Sequence, residues 1–181
     1  GPKYLIRFVH YNSVGHDLLE GHVLDFDDVQ KQILDLPAYE QKTLLSLELP
    51  GPTGELNKYS QLSRGLVLCL GPTLEDAQKQ SEIAVSCGCS TFTIVAGASG
   101  ANAMNGYLDR AMLEGLHGFD AVVLWSNDDD LSIAKQALAK RDGPIIPLIS
   151  TEDLSNYCVI ERHICIDTTA AGGNASLLAG V

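Results

Sequence analysis

Between Gly65 and Ile149 the sequence alternates short, almost wholly apolar runs with stretches of helical periodicity, and this beat constrains the fold more than any other feature. The runs are Leu66-Val67-Leu68-Cys69-Leu70, Thr91-Phe92-Thr93-Ile94-Val95-Ala96, Ala121-Val122-Val123-Leu124-Trp125 and Ile145-Ile146-Pro147-Leu148-Ile149. A strand that is apolar on both sides has no solvent face, so it must lie in a sheet covered above and below. Helix signals fill the gaps. Thr73 with Asp76 three residues on is a helix-start signature, and Ala77, Ile83, Ala84 and Cys87 form a stripe that Gly88 stops. Met104, Leu108, Ala111 and Met112 recur at three- and four-residue spacing, which predicts a helix over 101–114. Asn127-Asp128-Asp129-Asp130 is a cap cluster ahead of the stripe Leu131, Ala134, Ala137 and Leu138. Pro147 lacks the N–H that an inner strand needs, which places the fourth run at an edge.

Strand, helix, strand, helix, strand, helix, strand specifies an α/β fold: a Rossmann-like open parallel sheet with helices on both faces. The flanks differ in character and divide the chain into 1–64, 65–156 and 157–181. In the first segment Tyr4-Leu5-Ile6-Arg7-Phe8-Val9-His10 reads as a strand, followed by an acidic linker with Asp17, Glu20, Asp25, Asp27 and Asp28. A short helix over 27–36 carries Val29, Ile33 and Leu36 on one side and ends at Pro37. Leu49-Pro50-Gly51-Pro52-Thr53-Gly54-Glu55 is dense in turn residues and forbids a regular element. Tyr157 to Ile166 reads as one more, longer strand, which predicts an antiparallel β-flap through pairing of 157–166 with 1–10. The last residues, Thr168 onward, are small, glycine-rich and almost uncharged.

Charge excludes some partners. Twelve Lys and Arg against 23 Asp and Glu leave a formal net charge of −11, so the basic stripe that displaces counterions from nucleic-acid phosphates is missing. An anionic membrane surface is disfavoured for the same reason, and no apolar run approaches the ~20 residues that span a bilayer. The five cysteines, Cys69, Cys87, Cys89, Cys158 and Cys165, have no framework spacing; free thiols in a reducing cytoplasm are the expectation.

A nucleotide would sit at the turn after the first strand, where glycines expose backbone amides at a helix start. Here that turn is Leu70-Gly71-Pro72-Thr73-Leu74-Glu75-Asp76, with one glycine and two carboxylates that repel phosphate. The second turn offers a better cradle: Gly97, Gly100 and Asn102 near an expected helix start. Small residues there equally let a helix pack close to the sheet, and this reading is preferred, so no cofactor is assigned to the chain. Cys87-Gly88-Cys89 has no second pair nearby in sequence, and a thiol at a helix end explains it. The scattered histidines His10, His16, His22, His117 and His163 make no catalytic set, and a helix cap accounts for Asp128 to Asp130. Metal and catalytic residues are therefore expected to be none.

The tail is the most specific feature. Thr168-Thr169-Ala170-Ala171-Gly172-Gly173-Asn174-Ala175-Ser176-Leu177 resembles the C-terminal motif of the bacterial bifunctional proline utilisation A flavoproteins. Leu49-Pro50-Gly51-Pro52-Thr53-Gly54-Glu55-Leu56-Asn57-Lys58-Tyr59, continuing through Arg64 to Leu70, resembles the entry to the extra C-terminal domain of the long members. Gly1-Pro2-Lys3-Tyr4-Leu5-Ile6-Arg7-Phe8 resembles the end of their aldehyde dehydrogenase module. The resemblance implies a C-terminal piece of a longer parent, one that oxidises proline with FAD and then glutamate semialdehyde with NAD. Both active sites would lie outside this chain. It implies further that the domain shares the aldehyde dehydrogenase superfamily fold without the activity. Its partner would be the dehydrogenase module of the same polypeptide, with the tail from Thr168 to Leu177 helping to close the tunnel between active sites. An open flap edge offers a route to a homodimer. The alternative is a regulatory module that binds a nucleotide or small ligand at the sheet crest. The tail ends Leu177-Leu178-Ala179-Gly180-Val181, where many family members carry a Met.

Overall fold

The computed structural model describes residues 22–52 and 54–167 and contains two sheets that share one stretch of chain. Ahead of them runs α1, Phe26–Asp35, capped by the Asp25 carboxylate, which accepts from the backbone N–H groups of Asp27 and Asp28. Its Val29 and Ile33 are buried, and Leu36 turns to extended backbone before Pro37, whose ring disfavours helix in the preceding residue.

Two strands follow that the sequence reading did not foresee. β1, Thr43–Leu49, and β2, Glu55–Ser63, form an antiparallel hairpin, and the proline- and glycine-rich stretch between them is its turn. β8, Val159–Asp167, pairs antiparallel with the other side of β2, giving the order β1-β2-β8. The flap is thus present, but β8 is joined to β2; the expected partner 1–10 lies outside the described residues.

The second sheet is the expected parallel one. It comprises β3 (Leu66–Cys69), β4 (Ser90–Val95), β5 (Ala103–Asn105), β6 (Ala121–Val123) and β7 (Leu148–Ile149), in the order β5-β4-β3-β6-β7. Every pairing in it is parallel, and β7 lies at an edge as Pro147 indicates. Alternate residues of β3 face opposite cores. Leu66 and Leu68 join Phe92, Ile94, Val122 and Leu124 under α1 and under α3, Asp128–Ala139. Val67 and Cys69 join Ala121, Val123 and Ile149 under α2, Leu74–Ser86, through Ala84. Burial on both faces is why these strands read as unbroken apolar runs.

The helix expected over 101–114 is absent. In its place stand β5 and a short 3-10 helix, Arg110–Glu114, capped by Asp109. Gly106 forces this outcome. It sits at φ +151°, and a Cβ there would lie 2.7 Å from the His22 carbonyl oxygen and 2.6 Å from Leu24 Cδ2. Next to it the chain pairs with the segment before α1: Tyr107 N–H donates to His22 O and Leu24 N–H to Tyr107 O, both at 2.9 Å. Of the expected stripe only Leu108 is fully buried; Met104 and Met112 are half-buried and Ala111 is exposed, while Leu113 and Leu116 fill the α1 side instead.

Adding a Cβ at Gly106 should therefore cost far more than at Gly100, which is also at positive φ but faces open space. Gly106→Ala is expected to lose about 2–4 kcal/mol in urea unfolding and Gly100→Ala about 1 kcal/mol. Equal losses would contradict the tight approach to His22.

Candidate functional site

The crest of the parallel sheet, where β3, β4 and β6 end, is the place such folds offer a ligand. Its first turn holds Gly71 at φ +81°, so close to Thr73 that a Cβ would lie 2.9 Å from the Thr73 nitrogen. Gln80 of α2 is fully buried beneath it. Its side chain donates to Gly71 O at 2.8 Å and accepts from Gly71 N–H at 3.1 Å, while Trp125 N–H donates to the same carbonyl at 2.9 Å. Thr73 and Asp76 form a reciprocal cap: Asp76 N–H donates to Thr73 Oγ1 at 3.1 Å, and Thr73 N–H to Asp76 Oδ2 at 3.3 Å. The Thr73 and Asp76 amides at the α2 start are committed to side chains, and the Glu75 and Asp76 carboxylates stand in the same turn.

The second turn contains the residues the sequence offers as a cradle. Gly97 and Gly100 are at φ +83° and +119°. Gly97 N–H donates to the Asn105 side chain at 2.7 Å, and Asn102 O accepts from Thr93 N–H at 3.0 Å. The turn leads into β5, not into a helix, so no helix N-terminus points at it; the expected helix start beside Gly97, Gly100 and Asn102 is corrected accordingly. At the third turn Asn127 caps α3 by accepting from Asp130 N–H at 2.9 Å. The Asp130 carboxylate meets buried Arg110 at 3.1 Å, and that guanidinium lies 4.7 Å from the Tyr107 ring centroid. Asp130 is thus both cap neighbour and ion-pair partner. The residues at this crest do not fit a pyrophosphate, which needs free amides and an uncompensated helix start.

A second constellation lies at the other end of the sheet, where the chain passes from flap to body. Ser63 is fully buried; its Oγ accepts from Lys42 N–H at 2.8 Å and shares a hydrogen bond with the Tyr39 hydroxyl, which also donates to Gly88 O at 3.2 Å. Arg64 N–H donates to Cys158 O at 2.9 Å, and Cys89 Sγ lies 3.3 Å from that same carbonyl. Cys69, Cys89 and Cys158 are buried, Cys87 is half-buried and Cys165 is exposed; all five are free thiols. A cavity of about 650 Å³ opens beside them, lined in part by Gln61, Arg64, Cys87 and Glu161.

The thiols here differ in acidity. Burial pushes Cys69 up to about 12. Cys89 is brought down to about 6, first by the Cys158 thiol that donates to it. Desolvation opposes this, and the backbone N–H groups of Arg64 and Gly65 and the Arg64 charge reinforce it. Cys158 is pushed up by its hydrogen bond with Cys89, by burial and by the neighbouring Cys87. The sequence shows Cys87-Gly88-Cys89 alone; Cys158, 69 residues beyond Cys89, gives no local signal of joining it. Among the described residues no group of three or more His, Cys, Asp or Glu is placed to hold a metal ion. The tail residues Thr168, Thr169, Ala170, Ala171, Gly172, Gly173, Asn174, Ala175, Ser176 and Leu177 lie outside the described residues. No described helix is long and apolar enough to cross a membrane.

If Gln80 holds the first turn closed, Gln80→Leu should leave the Gly71 N–H unpaired and cost about 2–4 kcal/mol in urea unfolding. Thr73→Ala, which removes only the cap, should cost about 1 kcal/mol.

No family model matches the chain. Its homologues are bifunctional PutA proteins. The chain is 32% identical over 143 residues to "Bifunctional protein PutA" of Escherichia coli K12, covering 72% of this chain and 11% of that protein. The PutA of Salmonella typhimurium LT2 gives the same identity and coverage, and that of Rhizobium meliloti is 30% identical over 161 residues, 75% of this chain and 12% of its own length. The chain therefore spans about 11% of the length of the curated relatives it matches. A solved proline utilization A of Bradyrhizobium japonicum aligns over 57% of this chain and 13% of its own, at 24% identity and a TM-score of 0.46.

Proposed function

We propose that the chain is the non-catalytic C-terminal domain of a bifunctional proline utilisation A protein, serving as scaffold and lid for its dehydrogenase module. The parent would be an oxidoreductase of proline catabolism, carrying proline to glutamate in the cytoplasm with FAD and NAD held in its other modules. This domain would pack on the dehydrogenase module through the flap, and 168–181 would help enclose the tunnel through which the intermediate passes. Similarity to bifunctional PutA proteins across 72% of the chain but 11% of their length supports a segment of a long polypeptide.

The observation that carries the non-catalytic reading is the crest. Gln80, the Thr73–Asp76 cap and the Asn105 side-chain oxygen occupy the N–H groups of Gly71, Thr73, Asp76 and Gly97, and two carboxylates stand beside them. The flap supports the scaffold reading. Leu45, Leu47 and Leu49 line up on one of its faces, opposite Gln61, Tyr59 and Asn57 of β2, and Leu56 with Ile166 on the other. These side chains are 38–48% exposed. An apolar surface of this kind on both sides of a thin sheet marks an interaction face.

The test is deletion of 168–181 from the full-length parent, followed by the coupled conversion of proline to glutamate. Loss of tunnel closure predicts a longer lag before NADH appears, with each half-reaction assayed alone little changed. An unchanged lag would defeat the lid. Titration calorimetry of the intact domain with NAD and NADP addresses the regulatory alternative, which requires micromolar binding; the scaffold reading predicts none.

A further inference from the structure

Three of the five cysteines meet where the two sheets join, and the scaffold role makes no use of them. Cys87 closes α2, Gly88 turns the chain at φ +83°, and Cys89 leads directly into β4 of the body. Cys158 leads directly into β8 of the flap. We propose that Cys89 and Cys158 form a peroxide-oxidisable dithiol whose disulfide fastens the flap to the body.

The arrangement supplies what the chemistry needs. Cys89 Sγ packs against Cys158, 3.3 Å from its carbonyl oxygen, with both residues buried away from bulky oxidants. Arg64 is bonded through its backbone to Cys158 O and brings a cation to the same place; its side chain donates to Tyr157 O. The cavity lined by Arg64 meets the cluster at Cys87, and a second of about 580 Å³, lined by Tyr39, Gly88 and Cys89, has room for a molecule as small as hydrogen peroxide beside Cys89 itself. The lowered pKa of Cys89 favours the thiolate, the reactive form.

The balance is as follows. The Cys89 thiolate attacks one peroxide oxygen, the O–O bond breaks, and Cys89 becomes a sulfenic acid. The departing hydroxide takes the Cys158 proton and leaves as water. The Cys158 thiolate then attacks the Cys89 sulfur, the S–O bond breaks, and a second hydroxide is protonated by solvent. Two thiols and one peroxide thus give one disulfide and two waters. A small dithiol reverses the step by exchange. The bond would join residues 69 apart in sequence, a long loop whose closure restricts the unfolded chain strongly.

The experiment treats the full-length protein with a few equivalents of hydrogen peroxide at neutral pH. Remaining thiols are blocked with N-ethylmaleimide, and the peptides are mapped without reduction. Expected is a Cys89–Cys158 linked peptide pair, formed at least about tenfold faster than Cys165 is oxidised and removed by dithiothreitol. Cys87→Ser should retain the pair, and Cys89→Ser and Cys158→Ser should lose it. Oxidation of Cys165 ahead of any linked pair would overturn the proposal, as would a pair formed through Cys87. The wild-type map decides on its own should either serine variant fold poorly.

Discussion

Gly65 is the point at which one chain is made to serve two sheets. β2 ends at Ser63 and β3 begins at Leu66, so a connection of two residues must turn a flap strand into the central strand of the body. Gly65 does this at φ +122°, with Asp120 packed so close that a Cβ would lie 2.0 Å from its carboxylate oxygen. That carboxylate accepts from Leu66 N–H at 2.9 Å, Asp120 N–H donates to Leu66 O at 2.8 Å, and Ser90 N–H donates to Gly65 O at 3.0 Å. The first residue of β3 is thereby locked against the starts of both β4 and β6 before any side-chain packing is counted. Only a residue without a Cβ reaches this position at that φ unstrained. The flap consequently hangs from the N-terminal end of the parallel sheet, at the opposite end from the crest.

How much of this was legible depended on burial. The runs 66–70, 91–96 and 121–125 announced strands because both of their faces are covered, and the caps Thr73 and Asn127 announced helices because they satisfy orphan amides locally. β1 was illegible for the opposite reason. All seven of its residues are exposed, so the alternation of Leu45-Ser46-Leu47-Glu48-Leu49 is written between two wet faces, beside a turn-dense segment that masked it. Residues 101–114 misled in a different way. Their helical spacing is real, but only Leu108 of the stripe is fully buried, and the chain at Gly106 pairs with the segment at His22 instead of forming a helix. The thiol cluster joins residues distant in sequence, and the crest was read as poor in glycine without any sign that Gln80 would tie it shut from below.

Gln80 and the flap together shift attention away from the usual site. A buried glutamine costs free energy unless its amide is satisfied on both sides, and here Gly71 supplies both partners. The same pair of bonds removes the amide that a phosphate would claim, so stability of the turn and affinity for a nucleotide compete for one group. The flap shows the reverse condition. A three-stranded sheet of this kind needs an apolar face covered to be stable. Within the described residues, Leu45, Leu47 and Leu49 on one side and Leu56 and Ile166 on the other stand well exposed.

The described residues thus combine satisfied polar groups at the crest with open apolar groups on the flap. The joint lies between these two conditions. Ser63, Tyr39, Lys42 and Gly88 bind it through neutral hydrogen bonds, while Cys89 meets Cys158 at the same crossing. The two sheets share no strand, and a bond from Cys158 to Cys89, as proposed, would restrict rotation at the joint without touching either sheet's own ladder.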